Sequence, residues 1–284
     1  MGTLYKLSGA GNDFIVLDGR SGGVDEYRKE VTIRTLCDRN TGFKAADGRI
    51  GADGVMILSS SDDGAWDFVM EYFNSDGSSG MMCGNGGRCI VAFADFLGIV
   101  PANGKFYEFL AADGPHTGEI LGRDGHSCTV KLKMKDVSEY RRCTDGWFLD
   151  TGTRHFVKFV DNVEAVDIAT EGPRYRWSEE FAPIGANVNF VQVLPDGSLK
   201  VRTFEKGVED ETLACGTGIT ASALAAQLEA WHKDAGTDTQ TSSGTSAKSI
   251  HTAVHARIDE LAVDFTPSGS IFTDVFLTGP AALI

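Results

Sequence analysis

Short runs rich in β-branched and aromatic residues, bounded by turn residues, recur along the chain at Tyr5–Leu7, Phe14–Leu17, Val55–Leu58, Phe68–Phe73, Thr129–Met134, Lys200–Thr203 and Asp274–Leu277. Asn187–Val193 has the same character at its ends. Each of these patterns predicts a strand. Apolar residues at helical spacing predict three helices: Glu26–Cys37, carrying Val31, Ile33 and Leu36, then Cys89–Leu97, then the alanine-rich Ile219–Trp231. Strands therefore outnumber helices.

Two of the helices open in the same way. CGNGGRC at Cys83–Cys89 and CGTG at Cys215–Gly218 each place a cysteine in a glycine-rich turn before an apolar helix. A strand ending in Phe73-Asn74-Ser75-Asp76-Gly77 precedes the first turn, and one ending in Phe204-Glu205-Lys206-Gly207 precedes the second. Strand, acidic polar loop, Cys-Gly-x-Gly and helix thus occur twice in one order, which predicts two halves of one design with a boundary near Asp113–Gly118. Asp234–Lys248, rich in Thr, Ser, Gly and Asp, reads as an exposed loop.

At 284 residues there is enough chain for two domains, each with its own core. The 26 basic and 40 acidic residues give a formal charge of −14, which repels phosphate backbones and anionic membranes, so neither nucleic acid nor a membrane is an expected partner. The N-terminal MGTLYKLSGAGNDF has no basic stretch followed by an apolar core, and no segment approaches the roughly 20 apolar residues of a membrane span. A soluble, cytoplasmic protein is the expectation. The six cysteines lie far apart, without CxxC or Cys/His zinc spacing, and read as reduced thiols with no metal.

A helix N-terminus leaves its first N–H groups unpaired and carries partial positive charge. A cysteine there has its pKa lowered from about 8.5 into the range of about 3.5–7.5, which makes a thiolate accessible at neutral pH. Glycines at 84, 86, 216 and 218 also let backbone amides approach an anion closely. Two such sites facing one another would hold an amino-acid carboxylate with a sulfur on each side of the α-carbon. One thiolate would remove the α-proton while the other thiol protonates the opposite face. No lysine context for pyridoxal phosphate is evident, so the expected reaction is cofactor-independent racemisation or epimerisation by Cys83 and Cys215. Cys37, Cys89, Cys128 and Cys143 lack the glycine turn and keep the reading of inert, buried thiols.

Seven motifs together resemble diaminopimelate epimerase. They are Gly9-Ala10-Gly11-Asn12-Asp13-Phe14, Phe73-Asn74-Ser75-Asp76-Gly77-Ser78, CGNGGRC, Gly185-Ala186-Asn187-Val188-Asn189-Phe190, Glu205-Lys206-Gly207, Glu211–Gly218 and Thr278-Gly279-Pro280-Ala281. The resemblance implies an α/β fold of α+β type: two pseudo-symmetric domains, each a curved mixed sheet wrapped around a central helix. It implies a first domain of residues 1–117 plus 276–284 and a second of 118–275. It further implies that Asn12, Asn74, Asn85, Thr153, Asn187, Glu205 and Lys206 contact the substrate. Backbone amides at Gly84, Asn85, Gly216 and Thr217 would hold the reacting carboxylate, and His155 and Glu205 would tune the thiols. A homodimer is implied as well, with Phe276 where some members carry an interface tyrosine.

This chain departs from the family pattern at Thr153-Arg154, where members usually have Asn or Ser followed by proline, and at Lys206, where they usually have arginine. Lysine offers a point charge in place of a bidentate fork. Two rival readings stand beside the first. A proline or hydroxyproline racemase would share the thiol pair but typically shows histidine where this chain has Asn85. A non-catalytic amino-acid-binding homologue would be expected to have lost a cysteine, and both are present.

Overall fold

The computed structural model describes residues 2–80, 82–235 and 248–284. The chain divides into two compact units, the first running to Lys133 and including Gly279–Ile284, the second spanning Met134–Thr278.

In the first unit the elements are β1 (Leu4–Gly9), β2 (Asn12–Asp18), α1 (Glu30–Cys37), β3 (Gly54–Ser59), β4 (Phe68–Asn74), α2 (Gly84–Phe96), β5 (Tyr107–Ala111), β6 (Gly114–Asp124) and β7 (Ser127–Lys133). The strands pair in chain order, parallel at β2–β3 and β4–β5 and antiparallel elsewhere. The chain's last strand (Ile271–Leu283) returns here with its final residues. Gly279–Ala282 pair with β7, and Ala282 and Leu283 pair with β1, so the sheet closes on itself. It closes around α2, whose residues from Gly84 to Ala94 are all buried. The run Cys89-Ile90-Val91-Ala92-Phe93-Ala94 makes this possible, because a helix that is apolar on every side is stable only where every side is covered.

The second unit contains β8 (Tyr140–Cys143), β9 (Gly146–Asp150), β10 (Arg154–Phe159), α3 (Ile168–Arg176), β11 (Asn187–Val193), β12 (Leu199–Glu205), β13 (Asp210–Thr212), α4 (Gly216–Ala235), β14 (Ile250–His255), β15 (Glu260–Ser268) and the last strand, β16. The order is β8-β9-β10-β11-β12-β14-β15-β16, with β13 attached to β12. Parallel pairing occurs at β10–β11 and β12–β14. Strands β9–β12, helix α4 and strands β14–β16 therefore repeat the plan of β1–β4, α2 and β5–β7, down to the positions of the parallel pairs. Helices α1 and α3 occupy the equivalent crossovers. The duplication expected from the two cysteine turns is a property of the whole topology.

Several elements differ from expectation. Both turn-opened helices begin earlier than their apolar runs, at Gly84 and Gly216, because the glycine turns form the first helical turn. The expected boundary at 117/118 falls inside β6, which is paired with both β5 and β7 and so stays with the first unit. The return point is Gly279 and not residue 276, since Phe276, Leu277 and Thr278 pair with β15. Helix α3 was hidden by Gly172 and Pro173; the absent side chain at 172 lets it lie on Phe204, whose ring carbons stand 2.5 Å from where a Cβ would be. Of the loop expected at Asp234–Lys248, residues 234 and 235 belong to α4, and 236–247 lie outside the described residues. No helix among the described residues is long and apolar enough to cross a membrane.

Candidate active site

In the first unit Cys83 caps α2. Its backbone is extended, its carbonyl accepts the Gly87 N–H at 2.7 Å and its Sγ accepts the Gly86 N–H at 3.2 Å. The sulfur thus takes the place of a capping oxygen at the positive end of a helix, where negative charge is stabilised.

Next to it runs an ordered chain of amides. The fully buried Arg88 donates from Nη2 to Asn85 Oδ1 at 2.9 Å; Asn85 Nδ2 donates to Asn12 Oδ1 at 2.7 Å; Asn12 Nδ2 donates to Asp53 Oδ2 at 2.9 Å. A cation at one end and a carboxylate at the other fix which way both amides point. Asp53 also accepts the Asp13 N–H and pairs with Arg39, while Asp13 pairs with Arg39 at 2.8 Å and with the buried Lys6 at 2.7 Å. Arg88 further donates to the carbonyls of Gly84 and Pro280. Asn74 stands apart from this chain. At the end of β4 it bonds Ser78 through its side chain at 3.0 Å and shapes the 74–78 turn.

The second unit repeats the cap. The Cys215 carbonyl accepts the Ile219 N–H at 2.8 Å, which makes Cys215 the cap of α4, and its Sγ lies 3.4 Å from Thr217 Oγ1. Thr217 Oγ1 is 2.9 Å from His155 Nε2 and 3.0 Å from Thr153 Oγ1, and Thr153 Oγ1 is itself 2.9 Å from the same imidazole nitrogen. Thr153, expected to face the substrate, is engaged with its hydroxyl inside this cluster.

On the other side of the ring His155 Nδ1 meets Asn189 Nδ2 at 3.0 Å. The orientation of Asn189 is set by its other bonds, Nδ2 to the Phe156 carbonyl and Oδ1 from the Thr203 hydroxyl. Gly218 is the residue that allows this packing: a Cβ there would stand 2.4 Å from Asn189 Oδ1 and 3.3 Å from His155 Cε1. Asn187 ties the start of β10 to the turn after β12, donating to the Arg154 carbonyl at 3.0 Å and accepting from the Lys206 N–H at 2.8 Å. Lys206 therefore enters by its backbone, with its side chain exposed. Glu205 ends β12 and accepts the Glu209 N–H through its carbonyl.

Burial sets the protonation state of the other four thiols and of the imidazole. Desolvation pushes the thiols of Cys37, Cys89 and Cys143 up to about 12 and raises Cys128, so these four stay protonated at neutral pH. Desolvation of the fully buried His155 lowers its pKa to about 3, which makes it neutral throughout the physiological range. The unfolded chain takes up that proton near pH 6.5, so the stabilisation from a neutral His155 is present above about 6.5 and lost as pH falls toward 3. Unfolding free energies from urea titrations between pH 7.5 and 5 should fall more steeply for the parent protein than for His155→Gln, by up to about 1.4 kcal/mol per pH unit. Equal slopes would remove His155 as the cause.

The sequence reading missed Arg88, Asp53 and Asn189 as organising residues. Arg88 stood in the quoted CGNGGRC segment without a role. Asn189 lies two residues after Asn187 on a strand, hence on the same face, and that alternation was the available signal.

No group of three or more His, Cys, Asp or Glu side chains able to hold a metal occurs among the described residues. A family model described as diaminopimelate epimerase matches residues 4–111 and 147–265. The diaminopimelate epimerase of Flavobacterium psychrophilum is 40% identical over 99% of this chain and 97% of its own length, and that of Chlorobaculum tepidum is 45% identical over 77% and 80%. Among solved structures, a phenazine biosynthesis protein of the PhzF family from Bacillus anthracis superposes with a TM-score of 0.66 at 12% identity, covering 99% of this chain and 96% of that one. A hydroxyproline epimerase from Agrobacterium vitis gives 0.63 at 15% identity, covering 99% and 88%. At such identities the two structures show a shared fold.

Proposed function

The chain belongs to the diaminopimelate epimerase family, and from that premise we propose that it interconverts LL- and meso-2,6-diaminopimelate by a two-base mechanism carried by Cys83 and Cys215 without a cofactor. The observation that carries this reading is that, of the six cysteines, these two cap glycine-opened helices at corresponding places in a duplicated topology.

An α-proton of an amino acid is a weak acid because the carbanion beside a carboxylate is poorly stabilised in water. Helix N-termini address that cost: the amides at Gly84 and Asn85, and at Gly216 and Thr217, precede the first intrahelical bonds and are suited to charge building on the reacting carboxylate. With that charge held, the thiolate of one cysteine takes the α-proton and the thiol of the other protonates the opposite face. The roles exchange with the direction of reaction. Asn12, Asn74, Asn85 and Asn187 supply amide groups matched to a substrate with two ammonium and two carboxylate groups. Thr153 and Lys206 are assigned to the substrate's surroundings, and Glu205 and His155 to the setting of the thiols. The product would serve lysine and peptidoglycan precursor synthesis in the cytoplasm, and the protein would act as a homodimer.

In deuterated buffer under reducing conditions, purified protein should place solvent deuterium at the α-carbon of LL-diaminopimelate while producing the meso form, with no addition. Complete absence of exchange would reject the proposal.

A further inference from the structure

We propose that Thr217 and Thr153 are positioning residues which, driven by a fixed imidazole tautomer of His155, form a reversible hydroxyl relay that donates to Cys215 as thiolate and accepts from it as thiol. This deepens the two-base reading and rests on Cys215 being one of its thiols.

The direction of the relay follows from counting protons. Asn189 Nδ2 donates to the Phe156 carbonyl and its Oδ1 accepts from Thr203, so the same Nδ2 presents a donor to His155 Nδ1 at 3.0 Å. A neutral imidazole that accepts at Nδ1 carries its hydrogen on Nε2. Burial keeps the ring neutral, so this assignment holds across the pH range in which thiols ionise.

Nε2 then has one hydrogen for two hydroxyl oxygens, Thr153 Oγ1 and Thr217 Oγ1, each 2.9 Å away. With Cys215 ionised, one arrangement runs the donors in series to the sulfur: Nε2–H to Thr153, Thr153 O–H to Thr217 at 3.0 Å, and Thr217 O–H to Sγ at 3.4 Å. With Cys215 protonated, S–H donates to Thr217, Thr217 O–H turns to Thr153, and the exposed Thr153 O–H turns outward. Only two O–H bonds rotate; no proton leaves an oxygen or the ring. A two-base enzyme needs each cysteine to be stable in both states, and this cluster offers Cys215 a partner in both.

A hydrogen bond to an ionised group lowers the pKa of an acid that accepts it. The rate of iodoacetamide modification at Cys215, followed against pH and read by peptide mass spectrometry on the substrate-free protein, measures that pKa directly. Thr217→Val, which keeps the shape and removes the hydroxyl, should raise it by about one unit, a roughly tenfold slower modification below the pKa. Thr217→Ser should restore it. Thr153→Val should shift it less, because Nε2–H then serves Thr217 alone, and the Cys83 profile should not move. In turnover, Thr217→Val should lower kcat with its pH profile displaced by the same unit. An unchanged Cys215 pKa in Thr217→Val, or an equal shift in Thr217→Ser, would overturn the relay. No substrate enters the titration, so its failure is separable from failure of the proposed reaction.

Discussion

Cys83→Ala and Cys215→Ala should each stop inversion of diaminopimelate, lowering turnover by at least the factor of about 10²–10⁴ that a positioned acid or base supplies. The two-base scheme makes a finer demand. Each variant keeps one thiol at a helix N-terminus, so it keeps the means to remove a proton from one face. Exchange of solvent deuterium into a single epimer should therefore survive, slowed, in a variant that no longer forms the other epimer, and the surviving epimer should differ between the two variants. A one-base mechanism predicts that one of the two replacements leaves inversion intact. Chiral separation of the products, with mass analysis of each fraction, distinguishes the two schemes. Both caps lose only a side chain, since the carbonyl bonds to Gly87 and Ile219 are made by the backbone, so the folds should persist.

The reason these two cysteines could be picked from sequence lies in the locality of the signal. A cap, the glycines behind it and the helix that follows are written within about a dozen residues, so Cys83 and Cys215 were legible, as was the duplication they announce. The sheet wrapped around α2 came from the resemblance alone, and its closure had no local signal. It depends on Gly279–Leu283 pairing with both β7 and β1, contacts that no local pattern encodes. Strands β5 and β15 did carry a signal, the alternation of buried Tyr107, Phe109 and Ala111 and of Leu261, Val263 and Phe265. Helix α3 carried a contrary one in its internal proline. Within the site, resemblance supplied Asn12, Asn85 and His155 as residues. It could not show that Asn12 and Asn85 are bonded to each other, or that His155 is held neutral, because both depend on partners far along the chain.

Arg88 is where fold and site meet, and Arg88→Met is expected to damage both. The guanidinium is fully buried and serves three acceptors: the Gly84 and Pro280 carbonyls and Asn85 Oδ1. Methionine fills much of the space but donates nothing, and each buried acceptor left without a donor costs about 1–3 kcal/mol. A total of at least about 3 kcal/mol corresponds to a fall in Tm of roughly 5 °C for a chain of this size. The functional loss has a separate cause. With Arg88 gone, Asn85 Oδ1 loses the guanidinium bond that orients it, which favours a flip of the amide against Asn12. The KM for diaminopimelate should rise well above that of the parent enzyme at temperatures where both are folded. Arg88→Lys separates the two effects: it retains a cation but not the planar fork that reaches three acceptors at once, so it should recover part of the stability and little of the substrate affinity. A parent-like KM in Arg88→Met would show that the amide chain is oriented by Asp53 alone, and a parent-like Tm would show that the three acceptors find other donors.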